Sequence, residues 1–271
     1  AVASGNRSTH HVQMHGDLFN PQSYQETWLN RLRVKYGKYV VRHTNAIRVV
    51  SERIKRSLEQ LKVTADVSVV PIQADLLSFI EAGKNRHYDQ VKGINFLYVG
   101  RFSSEKNLPL LVRSFSEVSV EFSNARLTLL GSGPAEPDIR SLIKELKLEQ
   151  LVKVKPWSNN VATEMTKHDV FCLSSNHEGW GMVLLEAAAT AMPIITTDVG
   201  CVGEVVFDKQ NGLVVPVGDQ MTYIEAMRFY CLKPELVQKF GQAGKEIAAQ
   251  YSVSEEDFVS QIVASFPSCR S

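Results

Sequence analysis

The sequence predicts an α/β protein built on a doubly wound parallel sheet, with one domain complete and a second only in part. Three observations lead there. From Ile94 onward, short apolar runs alternate with amphipathic stretches, the pattern of successive βαβ units around a sheet buried on both faces. The runs are rich in Val, Ile, Leu and Phe and are bounded by Gly, Pro, Asn or Ser. The stretches between them repeat apolar residues at three- and four-residue intervals, the helical period.

In order, the strands of the complete domain are Asn95–Val99, Arg126–Leu130, Val152–Lys155, Val170–Ser174, Pro193–Thr197 and Gly212–Pro216. Helices are expected within Leu108–Phe122, Ala135–Leu146, Val161–Lys167, Gly181–Ala191 and Met221–Cys231. Upstream the same pattern is thinner: a strand near His11–Met14, a helix within Tyr24–Arg42, strand Ile47–Val50, helix Glu52–Leu61 and strand Val67–Pro71. The expected division is therefore residues 1–80 as a partial domain, 81–93 as a polar linker, 94–250 as the complete domain and 251–271 as a closing helix around Ser254–Phe266. The chain opens Ala-Val-Ala-Ser-Gly without an initiator Met and reaches an apolar stretch almost at once, which reads as a cut edge.

Bulk composition narrows the function classes. Lys and Arg total 30 against 29 for Asp and Glu, so no basic excess points to nucleic acid. Cys172, Cys201, Cys231 and Cys269 show neither CxxC pairing nor metal-ligand spacing and read as reduced thiols of a cytoplasmic protein. The most apolar stretch, Met182–Ile195, contains Glu186 and a proline and falls short of the about 20 apolar residues a bilayer requires.

A doubly wound sheet binds ligands at the carboxyl ends of its strands. The first such loop is Gly100-Arg101-Phe102-Ser103-Ser104-Glu105-Lys106-Asn107. Gly100 allows a sharp turn and close approach, while Arg101 and Lys106 offer a guanidinium fork and a mobile ammonium suited to two phosphates. An exposed basic loop is the bland alternative. The next loop, Gly131-Ser132-Gly133-Pro134, would turn backbone N–H groups toward an anion or a sugar. It lacks the GxGxxG spacing and distal acid of a nicotinamide site, which argues against a dehydrogenase.

The sharpest signal runs from Ser174 to Ala189, where Glu178 and Glu186 are separated by seven residues across a Gly-flanked loop and the start of a helix. Glu178 can accept hydrogen bonds from two sugar hydroxyls and Glu186 from a ribose diol. Between them the free N–H groups at Gly181, Met182 and Val183 and the positive end of the helix suit a diphosphate, and Gly179 and Gly181 clear the approach. The residues around Glu186 are apolar on all sides, so a solvated helix face is a poor account of it.

These motifs in this order, GRFSSEKN, GSGP, EGWGMVLLE, PIITTDVGCVGEVV and NGLVVPVGD, resemble the family-four retaining glycosyltransferases of the GT-B fold, also called glycosyl transferases group 1. The likeness covers roughly Ile94 to the end, and Ile47–Pro71 resembles the close of the family's N-terminal domain. It implies a GT-B architecture of two Rossmann-like domains. Arg101 and Lys106 would bind the diphosphate and stabilise the leaving group, Glu178 would hold the transferred sugar and Glu186 the ribose. His15, in His15-Gly16-Asp17, matches a histidine that faces the donor sugar, with a strand-end histidine packed on the sheet as the alternative. His10, His11 and His177 are weaker candidates. Base contacts would come from around Pro156 and Trp157, where the chain departs from the family's usual glycine.

The implied reaction transfers a glycosyl group, with retention, from a UDP- or GDP-linked donor to a hydroxyl of a glycan or lipid-linked acceptor. It requires no cofactor or metal, since the sequence has no Asp-x-Asp and Arg101 and Lys106 already supply positive charge. A lipid acceptor would bring a peripheral contact with the inner face of the cell membrane. Two rivals stand beside it: a GT-B-like sugar-nucleotide epimerase and a binding module that holds a nucleotide sugar without turnover.

Overall fold

A computed structural model describes residues 11–16, 28–84, 86, 88 and 93–266. His10, Cys269 and, within the expected linker, residues 85, 87 and 89–92 lie outside the described residues. The chain divides into two compact units, Ala1–Gln73 with Val253–Ser271, and Ala74–Ser252.

The first unit contains strand β1 (His11–Met14), helix α1 (Trp28–Arg42), β2 (Ala46–Val49), α2 (Glu52–Gln60) and β3 (Asp66–Val69), with the three strands parallel in the order β1-β2-β3. Helix α2 begins where the Ser51 hydroxyl accepts a hydrogen bond from the Ile54 N–H, and it buries Ile54 and Leu58. Arg48 is buried in β2, where its guanidinium donates to the Val70 and Pro71 carbonyls.

Helix α10 (Glu255–Ala264), capped by Ser254, belongs to this same unit. The Arg48 guanidinium lies 5.6 Å from the Phe258 ring centre, and Phe266 stacks on His11 at 4.0 Å. The closing helix therefore returns to the first strands of the chain, a pairing that its own periodicity does not express.

The second unit opens with α3 (Leu77–Lys84), a helix that runs into the stretch the sequence suggests is linker. Then follow β4 (Asn95–Val99), a 3-10 turn at Ser104–Lys106, α4 (Leu108–Glu121), β5 (Arg126–Leu130), α5 (Glu136–Glu145), β6 (Val152–Lys155) and α6 (Val161–Thr166). The chain continues through β7 (Val170–Leu173), α7 (Met182–Ala189), β8 (Ile194–Thr197), β9 (Gly212–Val215), α8 (Gln220–Leu232) and α9 (Glu235–Ala248). Arg86 and Tyr88 lie between α3 and β4. Arg86 is buried and donates to the carbonyls of Met165, His168, Asp169 and Thr190, while the Tyr88 hydroxyl donates to the Ala191 carbonyl at 2.8 Å. This part of the expected linker is thus a fixed anchor.

The six strands are parallel in the order β6-β5-β4-β7-β8-β9. Val170, Phe171, Cys172 and Leu173 are all buried, as a central strand covered on both faces requires. The order reverses direction between β4 and β7, so the loops leaving these neighbours diverge and leave a crevice at their carboxyl ends. Helix α7 buries Leu184, Leu185, Ala187, Ala188 and Ala189, consistent with its nearly uniform apolarity.

Candidate functional site

Two loops leave the adjacent strands β4 and β7, and four hydrogen bonds sew them together. The Asn176 N–H donates to the Glu105 carbonyl at 2.7 Å, and the Ser174 hydroxyl to the Lys106 carbonyl at 2.9 Å. The Asn107 amide donates to the Asn176 side chain at 3.0 Å. The fourth joins the charged groups: the Lys106 ammonium donates to Glu178 Oε1 at 2.7 Å. Both side chains are largely buried, at 20% and 11% exposure, so this contact is less screened than a surface ion pair.

Each loop has its own brace. The Tyr98 hydroxyl reaches up from β4 and donates to the Arg101 carbonyl at 2.9 Å. Burial, then the nearby Glu178 and Glu105 carboxylates, push the Tyr98 phenol far above its ordinary range, so it remains a neutral donor. Beneath Glu178, the Thr197 hydroxyl donates to the Ser175 carbonyl at 2.6 Å, and the Ser175 hydroxyl donates to Glu178 Oε1 at 2.7 Å. Burial pulls the Glu105 carboxyl upward, but the Ser103 hydroxyl, its own backbone N–H, Lys106 and His177 together hold it below the usual carboxylate range. His177 Nδ1 is buried and has no hydrogen-bond partner among the described residues.

Helix α7 starts at the far side of the Glu178 loop. Gly181 stands at the N-cap in the left-handed region at φ 82°, a conformation that favours glycine, and without a side chain it leaves the first N–H groups of the helix uncapped by its own atoms. The N–H groups of Met182 and Val183 stand in the first turn, where an α-helix has no internal acceptors for them. Glu186 follows one turn later. Its carboxyl is half-buried, has no hydrogen bond or ion pair among the described residues, and is raised above its usual pKa by desolvation.

The glycines of the β5 loop bring it against the β4 loop. The Gly131 N–H donates to the Lys155 carbonyl at 3.0 Å and the Gly100 N–H to the Leu130 carbonyl at 3.0 Å, so neither faces a ligand. What these positions require is the absence of a side chain. A Cβ on Gly133 would meet the Phe102 carbonyl oxygen at 2.3 Å, and the Phe102 N–H donates to Ser132 across this contact at 2.9 Å. The β4 and β5 loops are pressed together, and the pair forms a rigid wall beside the crevice.

Of the other candidates, Arg101 is exposed at the loop surface and Trp157 is 58% exposed in the loop after β6. Gly179 lies half-buried between Glu178 and the start of α7. His15 is exposed at the end of β1 and belongs to the first unit, whereas the remaining candidates belong to the second.

The sequence reading missed Tyr98, Ser175, Thr197 and Gly200. Gly200, in the loop after β8, has φ 57° and approaches so closely that a Cβ would sit 2.4 Å from the Trp180 carbonyl oxygen and 3.0 Å from Glu178 Cβ. Ser175 and Gly200 were signalled by their places at strand ends. The Thr197 hydrogen bond reaches back to Ser175 on the neighbouring strand, too far along the chain for a local pattern to express, and the Tyr98 bond to Arg101, though local, depends on the turn the chain makes after β4.

Residues 81–247, more than half of the chain, match the family model described as glycosyl transferases group 1. The chain belongs to this family. It is 28% identical over 82% of its length to an uncharacterized glycosyltransferase of Methanocaldococcus jannaschii. It is 32% identical over 59% of its length to N-acetyl-alpha-D-glucosaminyl L-malate synthase of Bacillus anthracis. It spans 60% of the first relative and 42% of the second.

Among solved structures, a TarM mutant of S. aureus in complex with UDP and sugar ligands superposes with a TM-score of 0.78 at 15% identity, covering 96% of this chain and 51% of the other. Anabaena HepE in complex with UDP superposes with a TM-score of 0.77 at 18% identity, covering 95% and 72%. The fold is thus the α/β GT-B type of this family, matched over about half to three quarters of those chains. Among the described residues no helix is long and apolar enough to cross a membrane.

Proposed function

We propose that the crevice between the β4 and β7 loops binds a nucleoside diphosphate sugar and that the protein transfers its glycosyl group, with retention, to a hydroxyl of a glycan or lipid-linked acceptor. The observation that carries this reading is the chemistry found together there. A cation and a carboxylate, Lys106 and Glu178, meet at 2.7 Å, beside a helix start and an unpartnered half-buried acid at Glu186. Glu186 is suited to accept hydrogen bonds from a ribose diol, which would compensate its desolvation. The Met182 and Val183 N–H groups with Arg101 and Lys106 surround the place of a diphosphate, where they would stabilise charge growing on the leaving group. Gly179 and Gly181 keep that approach free of side chains.

In this reading Lys106 exchanges part of its contact with Glu178 for a phosphate oxygen when donor arrives, and Glu178 turns its free oxygen to the sugar. The incoming hydroxyl is deprotonated by the departing phosphate on the same face, since no side chain is assigned as nucleophile. Trp157, in the loop after β6 of the same unit, is assigned to the base. UDP is the first donor nucleotide to test, because solved relatives of the same fold hold UDP, and GDP is the second. Assembly of cell-envelope or other polysaccharide is the proposed setting, on the cytoplasmic side and touching the membrane if the acceptor is a lipid. The B. anthracis relative named as a glucosaminyl L-malate synthase supports a hydroxyl acceptor.

Thermal unfolding with UDP, GDP, ADP and dTDP tests the donor site, because a ligand of the folded state alone raises the transition. Isotope-labelled donor incubated with and without acceptors then tests transfer. A changed donor sugar without acceptor would point to epimerisation, and binding without any product to a module. No stabilisation by any nucleoside diphosphate would end the proposal.

A further inference from the structure

The Glu178 carboxylate is held at one oxygen only. Oε1 accepts both from the Lys106 ammonium at 2.7 Å and from the Ser175 hydroxyl at 2.7 Å, while no hydrogen bond or ion pair engages Oε2 among the described residues. The two donors differ in mobility. Lys106 is an ammonium on a flexible stem, whereas Ser175 is completely buried at the end of β7 and its backbone is fastened by the Thr197 hydroxyl at 2.6 Å. The Gly200 backbone comes close on another side, where an added Cβ would lie 3.0 Å from Glu178 Cβ.

We infer that Ser175 is a positioning residue for donor-sugar recognition: its hydroxyl fixes Oε1 of Glu178 so that Oε2 is presented to the hydroxyls of the transferred sugar whether or not Lys106 remains bound. This rests on the proposed function, in which Glu178 faces the sugar. Lys106 alone would be a poor holder, because any anion it meets competes for the same ammonium. A hydroxyl is neutral, so an arriving diphosphate does not draw it away. The contribution of Ser175 therefore falls on the sugar and leaves the nucleoside diphosphate untouched.

The test compares affinities by titration calorimetry for UDP and UDP-glucose, with GDP and GDP-mannose in parallel, in the native protein and in the variants Ser175→Ala, Ser175→Thr and Glu178→Gln. The gain in affinity of nucleotide sugar over nucleotide is the readout. Ser175→Ala should leave UDP or GDP affinity within about twofold and weaken the sugar nucleotide about tenfold to a hundredfold, the scale of one hydrogen bond to a charged group. Ser175→Thr, which keeps a hydroxyl, should recover most of that loss.

A selective loss in Ser175→Ala recovered by Ser175→Thr supports the assignment. Equal weakening of nucleotide and nucleotide sugar would mark Ser175 as a general structural residue and overturn it, as would no change in Ser175→Ala while Glu178→Gln loses sugar discrimination. If Glu178→Gln keeps full discrimination, or neither nucleotide binds the native protein, the proposed function itself fails and the positioning role with it. Denaturation midpoints for each variant separate lost folding from lost recognition, and a Ser175→Ala protein that does not fold also overturns the assignment.

Discussion

A Cβ placed on Gly131 would lie 1.9 Å from the carbonyl oxygen of Gly100, far inside any permitted contact. The obstacle is backbone, so no side-chain rotation relieves it, and Gly131 also has φ 148°. Gly131→Ala should therefore separate the β4 and β5 loops and destabilise the protein by about 3 kcal/mol or more, at the upper end of overpacking effects. Urea denaturation checks this, and an unchanged midpoint would show that the loops are not pressed together as described.

Burial raises the Glu186 carboxyl above its ordinary pKa, so folding favours its protonated form relative to the unfolded chain. Its favourable contribution is complete below the unfolded value, about 4.3, and is lost as pH rises through the higher folded value. Glu186→Gln, which is neutral throughout, should exceed the native protein in stability near neutral pH, with the gap closing as pH falls toward 4. The same variant should bind nucleoside diphosphate about 1–3 kcal/mol more weakly. Denaturation across pH and calorimetry at fixed pH measure the two opposite effects.

Arg86 donates to four backbone carbonyls from a buried position. Arg86→Ala removes every one of these donors, and the expected cost is about 2–4 kcal/mol. Arg86→Lys retains a cation but not the planar fork, so it should recover only part of the loss. Chemical denaturation midpoints in the order native, Lys, Ala would bear this out; an Ala variant as stable as the native protein would contradict it.

Glu164 accepts from Lys155 and Lys167, each at 2.7 Å, and these hydrogen bonds depress its pKa to about 2. A depressed carboxylate stabilises the fold above its unfolded pKa and loses that contribution as pH falls through the folded value. Solvent screens the pair, so Glu164→Gln should cost only about 1 kcal/mol at pH 7. The difference from the native protein should shrink as pH falls from about 5 toward about 2, as read by urea titrations. A constant difference would assign the effect to packing.

The amino-acid order by itself determined the parallel α/β class, the six strands of the second unit, the two loops that carry Arg101, Lys106 and Glu178, and the helix that carries Glu186. These are legible because strand and helix periods and Gly-bounded strand ends are properties of near neighbours in the chain. Helix α3 was not legible, since its eight residues run directly into polar sequence and it is held by packing within its unit. Only the tertiary structure decided that Lys106 pairs with Glu178, that Ser175 shares the same oxygen, that Gly131 yields to a neighbouring carbonyl and that α10 joins the first strands. Each depends on β4 meeting β7, β4 meeting β5, or the chain's end meeting its beginning. Local periodicity specifies a direction and a face, while hydrogen bonds and excluded volume act between whatever atoms the completed sheet brings within a few ångströms.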